Sequence, residues 1–430
     1  MQRLRSRTAP GLAALATFAL ASGCGGSEPI QSTAAGVAAA GAGTAVDPRV
    51  ADIRRALAAG LPDAAWTLLD SVGDSLGAEG DLLRARAALL EGDGVGALRE
   101  IEAAKQESER PDPRVLATEV EILASLDRLD AAREALRDAY AEVGRGAELE
   151  RARGWVLLRT PGGAREGLTA LETARELDPD LPFLEHPLLQ AHLLVGREAL
   201  TNEAADQALA HALLARQLAP DDPDARELEA DARAALLDFD GAIPLYEELR
   251  EEGRGSDDAI ATLQQRRGTF LLLKGRRDEA IEAYRAAREL GLDDEGLGFG
   301  ADLLAEEAVK RVDAASEAFA AGDLEAAETG FSSALELDPA NLEARDHLAV
   351  CRFKLGDFEG AAMGWRRVLE SARERGIELP DPVHLNLARA WHAAGTPERA
   401  REVLEEYLAS EPDGPWAEAT REMLDRLAEE

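Results

Sequence analysis

Catalysis and metal binding need acids, bases, nucleophiles or ligands at usable spacing, and this chain offers few. Its histidines are His186, His192, His211, His347, His384 and His392, and its cysteines are Cys24 and Cys351. There is no HExxH, and two distant cysteines cannot form the pairs of a zinc site. His384 and His392 lie eight apart on one helical face, but no acidic residue stands between them to act as a base. Gly296-Leu297-Gly298-Phe299-Gly300 has the glycines of a phosphate loop, yet no strand precedes it, and phosphate cradling needs strand, turn and helix. Asp293, Asp294 and Glu295 offer oxygens to calcium without the spacing of a twelve-position loop. The sequence therefore predicts no catalytic residue, no metal site and no cofactor. Cys351 reads as a small buried apolar side chain.

Charge narrows the partners. The 430 residues carry 48 Lys and Arg against 83 Asp and Glu, a formal net charge of −35. A surface this acidic excludes nucleic acid, which requires a basic footprint. It fits a basic partner, or it serves solubility alone.

The N-terminus has the layout of a secretory signal: Arg3, Arg5 and Arg7, an apolar run from Gly11 to Leu20, then small residues. The run is too short for a lasting transmembrane helix. Ala21-Ser22-Gly23-Cys24 resembles a bacterial lipobox, with Ala21 in place of the commoner Leu. The resemblance implies cleavage before Cys24, lipidation of its thiol and, since no Asp follows, an outer-membrane anchor facing the periplasm. The alternative is an ordinary signal peptide with a chance cysteine. Residues 24–46 are mostly Gly, Ala, Ser and Thr, the composition of a flexible tether.

The rest of the chain must position whatever surface does the binding, and its organisation is repetitive. A phrase returns about every 34 residues, most clearly as AGDLEAAETGFSSALELDP from Ala321 to Pro339. Turn positions fall at Gly60, Gly92, Asp127, Gly162, Glu203, Leu237, Gly275, Gly322, Gly356 and Gly395. Five residues after each stands a small one: Ala65, Ala97, Ala132, Gly167, Ala208, Ala242, Ala280, Ala327, Ala361 and Ala400. Two helices approach closely only where side chains are small, and glycine accepts backbone angles that other residues resist. Pro179, Pro220, Pro339 and Pro412 close second helices, since proline cannot continue one. With 46% hydrophobic but only 4% aromatic residues, the apolar mass is Ala and Leu, both strong helix formers.

These residues resemble the tetratricopeptide repeat, with Gly322, Leu324, Ala327, Phe331, Ala334 and Pro339 matching its pattern in order. The units at 162, 203 and 395 lack the aromatics. The resemblance implies an all-α fold: an α-solenoid of about ten helical hairpins forming a superhelix, with a C-terminal capping helix from Pro415 built on Trp416, Ala419, Met423, Leu424 and Leu427. The expected organisation is a signal peptide at 1–23, a tether at 24–46, a degenerate solenoid at 47–290, an insertion or linker at 291–307, and regular units with the cap at 308–430. The insertion is expected because Gly275 and Gly322 lie 47 residues apart.

In such repeats the second, fifth, ninth and twelfth positions of each first helix line the concave face. That frame puts Asp224, Glu227 and Asp231 in the groove, then Val309, Val312, Ser316 and Phe319, then Glu343, Asp346, Val350 and Phe353. The groove so defined is acidic with an apolar strip, suited to a basic or amphipathic peptide. Phe319 and Phe353 fit packing between repeats equally well. The Lys and Asn clamp that takes acidic chaperone tails is missing, its positions holding Gln265 and Thr269, Val312 and Ser316, or Asp346 and Val350. The resulting expectation is a non-enzymatic, lipid-anchored envelope scaffold for protein or peptide partners, serving assembly, secretion or cell-wall processes and touching the membrane only through its anchor. The alternative is an accessory subunit of an envelope enzyme, or a hydrolase with an unrecognised site.

Overall fold

The turn positions legible in the sequence govern the backbone. In the computed structural model, which describes residues 48–379 and 382–429, all ten have φ between +58° and +90°. Each joins two helices. The hairpins run Pro48–Ala58 with Pro62–Val72, Ala78–Leu90 with Gly94–Glu107, Pro113–Ser125 with Leu129–Val143, and Ala147–Leu158 with Ala164–Leu177. Next come Glu185–Thr201 with Ala205–Leu218, Pro223–Ala235 with Phe239–Glu251, and Asp257–Leu273 with Arg277–Glu289. The last three are Phe299–Ala321 with Leu324–Leu337, Leu342–Leu355 with Phe358–Arg375, and Val383–Ala393 with Pro397–Ser410. No strand occurs among the described residues, and the fold is an all-α solenoid. The chain divides into Met1–Pro48 and Arg49–Glu430, the second unit holding the solenoid.

Packing follows the small-residue positions. Ala65, Ala97, Ala132, Ala208, Ala242, Ala280, Ala327, Ala361 and Ala400 are all 0% exposed, as small residues are where two helices pack closely. At the fourth hairpin glycines replace them. A Cβ on Gly154 would stand 2.5 Å from Leu171 Cγ and 3.1 Å from the Gly167 carbonyl oxygen, so two backbones meet where a side chain cannot fit. Second helices stop two residues before Pro179, Pro220, Pro339 and Pro412.

Part of the acidic composition is capping. Asp93, Asp238, Asp323 and Asp357 accept from the amides of Gly96, Gly241, Ala326 and Gly360, each closing the start of a second helix. A carboxylate there satisfies an amide that has no partner within the helix and suits the positive end of its dipole.

The stretch 291–307, expected as a linker, is mostly helical. Asp294–Leu297 forms one turn capped by Asp293, and from Phe299 onward the chain is already in the first helix of the next hairpin, which reaches Ala321. Gly300 allows this: a Cβ there would lie 2.4 Å from Tyr284 Cδ1, so the glycine lets the lengthened helix seat against the Tyr284 ring. At the other end Ala417–Glu429 lays Met423 and Leu427, 8% and 7% exposed, on the core containing Trp391 and Leu404. This helix covers the apolar face that a last hairpin leaves open. Among the described residues no helix is long and apolar enough to cross a membrane.

Candidate partner-binding surface

Helix Pro223–Ala235 carries the first group of expected groove residues, and two of the three are already engaged. Asp224 pairs with Arg254 at 2.8 Å and lies 4.0 Å from Arg197. Asp231 accepts the Tyr246 hydroxyl, whose pKa is pushed up by burial and by that carboxylate. Glu227 is exposed and has no hydrogen-bond or ion-pair partner among the described residues.

The second group divides in the same way. Glu343 is exposed, whereas Asp346 accepts from the Trp365 indole nitrogen at 2.7 Å. Phe353 meets Phe358 edge-on at 5.2 Å and Trp365 at 5.9 Å, so its ring belongs to the contact between helices. Phe319 packs against the core and lies 4.4 Å beneath the Lys354 ammonium. Val312 is buried, while Val309 is 53% exposed. Of these residues Glu227 and Glu343 are the exposed acids, and Phe353 packs between helices. Cys24 lies outside the described residues.

Three of the histidines are engaged in contacts within the fold. His384 is buried, its Nε2 3.1 Å from Thr420 Oγ1 and its ring stacked on Tyr407 at 3.7 Å. Burial pulls its pKa down to about 4. His192 and His211 face each other with their Nδ1 atoms 3.1 Å apart, and burial followed by the neighbouring ring brings His192 to about 4 as well. No group of three or more His, Cys, Asp or Glu is arranged to hold a metal ion among the described residues. Cys351 is fully buried, which raises its thiol pKa and leaves it a packing residue.

Nearer the N-terminus the first helices form a feature that no single motif announces. Arg151, 1% exposed, donates from Nε to Glu121 at 2.7 Å, pairs with Glu148 at 2.7 Å and donates to the Pro182 carbonyl at 2.7 Å. Arg86 reaches Glu121 at 3.2 Å and donates to Thr118 at 3.0 Å. Burial opposes ionisation of Glu121, but Arg151 and Arg86 outweigh it and hold the carboxyl below its ordinary range. Burial also lowers Arg86 to about 10. Over this network lies the connection between the fourth and fifth hairpins, where Phe183 sits under Arg86 and packs on the core of the first two. The space left among Arg54, Glu79, Arg86, Arg151 and Phe183 is about 20 Å³, too small for a peptide side chain. The available signal is the charge at positions two, five and nine of three successive first helices, namely Glu79 and Arg86, Arg114 and Glu121, Glu148 and Arg151. What hides the feature is that its lid, Phe183, comes from a connecting segment with no repeat pattern.

Residues 318–376 match the family model of the tetratricopeptide repeat. No curated protein matches the chain. Among solved structures, the TPR2AB-domain:pHSP90-complex of yeast Sti1 is 19% identical over 56% of this chain and 96% of that one, with a TM-score of 0.26. A tetratricopeptide repeat protein from Parabacteroides merdae is 15% identical over 64% and 98%, with a TM-score of 0.30. Pseudomonas aeruginosa pilF is 17% identical over 51% and 94%, with a TM-score of 0.35. Residues 318–376 are thus tetratricopeptide repeats, set in a solenoid whose other hairpins keep the same turn and the same small-residue register.

Proposed function

We propose that this chain is a lipid-anchored scaffold of the bacterial envelope that holds a basic protein or peptide segment along the first helices from Pro223 onward. The observation that carries the reading is the pair of exposed acids Glu227 and Glu343, on first helices of repeats whose remaining groove residues are fixed by internal contacts. Such a surface holds a cationic segment by charge without rearranging its own core. The N-terminal first helices are filled by the chain's own Pro182 and Phe183, which leaves the later repeats as the place for a partner. The role is binding and positioning, with no chemistry of its own, and the net charge of −35 keeps nucleic acid and anionic lipid headgroups at a distance. Membrane attachment rests on Cys24, whose acyl chains contribute about 0.8 kcal/mol per buried methylene.

The test is capture from gently solubilised envelopes with wild-type protein and with the double variant Glu227→Gln, Glu343→Gln. A basic protein retained by the first and lost by the second supports the reading. Equal retention on both, at unchanged helicity, overturns it. For the anchor, Cys24→Ser must release the protein from the membrane fraction; a variant that stays membrane-bound argues against lipidation as the tether.

A further inference from the structure

A cavity of about 420 Å³ opens among the helices Leu324–Leu337, Leu342–Leu355 and Phe358–Arg375. It lies away from the proposed partner surface. Arg345, Leu348 and Arg352 share one stripe of their helix at three- and four-residue spacing, distinct from the stripe of Glu343, Asp346 and Phe353. Arg367 closes the opposite wall, and Leu335, Leu348 and Met363 supply an apolar side.

Two glycines one turn apart, Gly360 and Gly364, line the space. Gly360 lies against its own cap: its amide donates to Asp357 at 2.9 Å, and a Cβ there would collide with the same carboxylate. Gly364 lets the helices touch, since a Cβ there would stand 3.0 Å from the Cβ of Ala349.

Its charge runs against the rest of the molecule. In a chain of net charge −35, three guanidinium groups converge on one opening. Arg352 is neutralised by Glu328 at 3.2 Å. Arg345 donates to the Pro339 carbonyl, and its Nε is buried with no hydrogen-bond partner. Burial, and then the like charge of Arg367, lower the Arg345 pKa, against a smaller pull from Asp338. Arg367 is exposed and has no hydrogen-bond or ion-pair partner among the described residues. Two cations that repel each other beside an apolar wall are relieved by an anion placed between them, and guanidinium matches a carboxylate in a two-point geometry.

We infer that the cavity receives an acidic peptide segment, with the carboxylate of a Glu or Asp held by Arg345 and Arg367 and an adjacent apolar side chain lying on Leu335, Leu348 and Met363. The apolar wall favours a peptide over a free phosphate, which has nothing to place there. The site does not depend on the basic-partner reading, since it uses different residues and the opposite ligand charge.

The test uses the full chain and a fluorescein-labelled octapeptide of alternating Glu and Leu, read by anisotropy, with a second peptide in which Gln replaces every Glu. The expected result is binding of the acidic peptide alone, weakened about tenfold or more by Arg367→Gln. Arg345→Gln is expected to weaken it similarly, with circular dichroism checking that the helices persist. Because Arg367 is exposed, its variant keeps the test valid if the Arg345 variant misfolds. Equal binding of the two peptides, equal binding by wild type and Arg367→Gln, no binding by wild type, or full displacement by an equimolar amount of inorganic phosphate would each overturn the inference.

Discussion

The Arg86 guanidinium carbon stands 4.2 Å from the centroid of the Phe183 ring, although the two residues belong to a first helix and to a connection between later hairpins. Pro182, next to that ring, accepts from Arg151 at 2.7 Å. The pair closes the N-terminal groove with the chain's own backbone, and it does so at a conformational cost, because Phe183 has φ of +62°. A residue with a Cβ loses about 1 kcal/mol or more in that region.

This strain gives an unusual ranking of substitutions. Phe183→Ala should lower stability by about 2 kcal/mol, through lost packing and the lost cation–π contact, while retaining the strained backbone. Phe183→Gly loses the same ring but relieves the strain, so it should be the more stable of the two by about 0.5 kcal/mol or more. Urea unfolding of both variants decides it. An alanine variant more stable than the glycine variant would mean that the left-handed conformation at 183 carries no penalty.

Leu237 is the turn residue of the sixth hairpin, with φ of +62° where most of the equivalent positions hold glycine, and its side chain is 47% exposed. Replacing an apolar residue by glycine ordinarily destabilises. Here Leu237→Gly should raise stability by about 0.5 to 1 kcal/mol, the relief of backbone strain exceeding the added freedom of the unfolded chain. Gly322→Ala, at φ of +83°, should do the reverse. Thermal unfolding of the two single variants checks both signs.

Glu121 ties the buried network together, and its lowered pKa fixes how that network responds to acid. A carboxyl held below its ordinary range stabilises the fold above that range and loses the contribution as pH falls through the lowered value. Glu121→Gln should therefore destabilise the protein at pH 7 by about 3 kcal/mol, because Arg86 and Arg151 lose their shared counter-charge. The variant should also show a smaller drop in urea midpoint between pH 5 and pH 3 than wild type. A wild-type acid response in the variant would place the sensitivity elsewhere.

The hairpins were legible because their signals are local. Gly322 and Ala327 are set five apart by the geometry of one turn, and that spacing survives where the identity fails, as at Glu203 and Leu237, both still at positive φ. Surface assignments were less legible because they depend on distant residues. The position of Asp224 follows from its helix, but its pairing with Arg254 does not, and neither does the contact of Trp365 with Asp346. The 291–307 stretch misled for a related reason: its four glycines, Gly291, Gly296, Gly298 and Gly300, read as a linker until Tyr284, from the preceding hairpin, is seen to require Gly300.

His384 makes the C-terminal cap sensitive to mild acid. It sits between Tyr407, stacked at 3.7 Å, and Thr420 of the capping helix at 3.1 Å, and burial lowers its pKa from 6.5 to about 4. The folded chain therefore keeps the ring neutral while the unfolded chain binds a proton below pH 6.5, so the stability this neutrality supplies is lost progressively as pH falls from 6.5 towards 4. His192, lowered to about 4 beside His211, adds a slope of the same sign in the fifth hairpin. His384→Gln removes one titrating group while keeping a hydrogen-bonding side chain for Thr420. Its urea midpoint should be lower than wild type at pH 7, through loss of the ring stack, yet fall less steeply between pH 6.5 and pH 4, the remaining slope coming from His186, the His192 pair and the lowered carboxyls such as Glu121. An unchanged slope would show that protonation of His384 is not linked to unfolding of the cap.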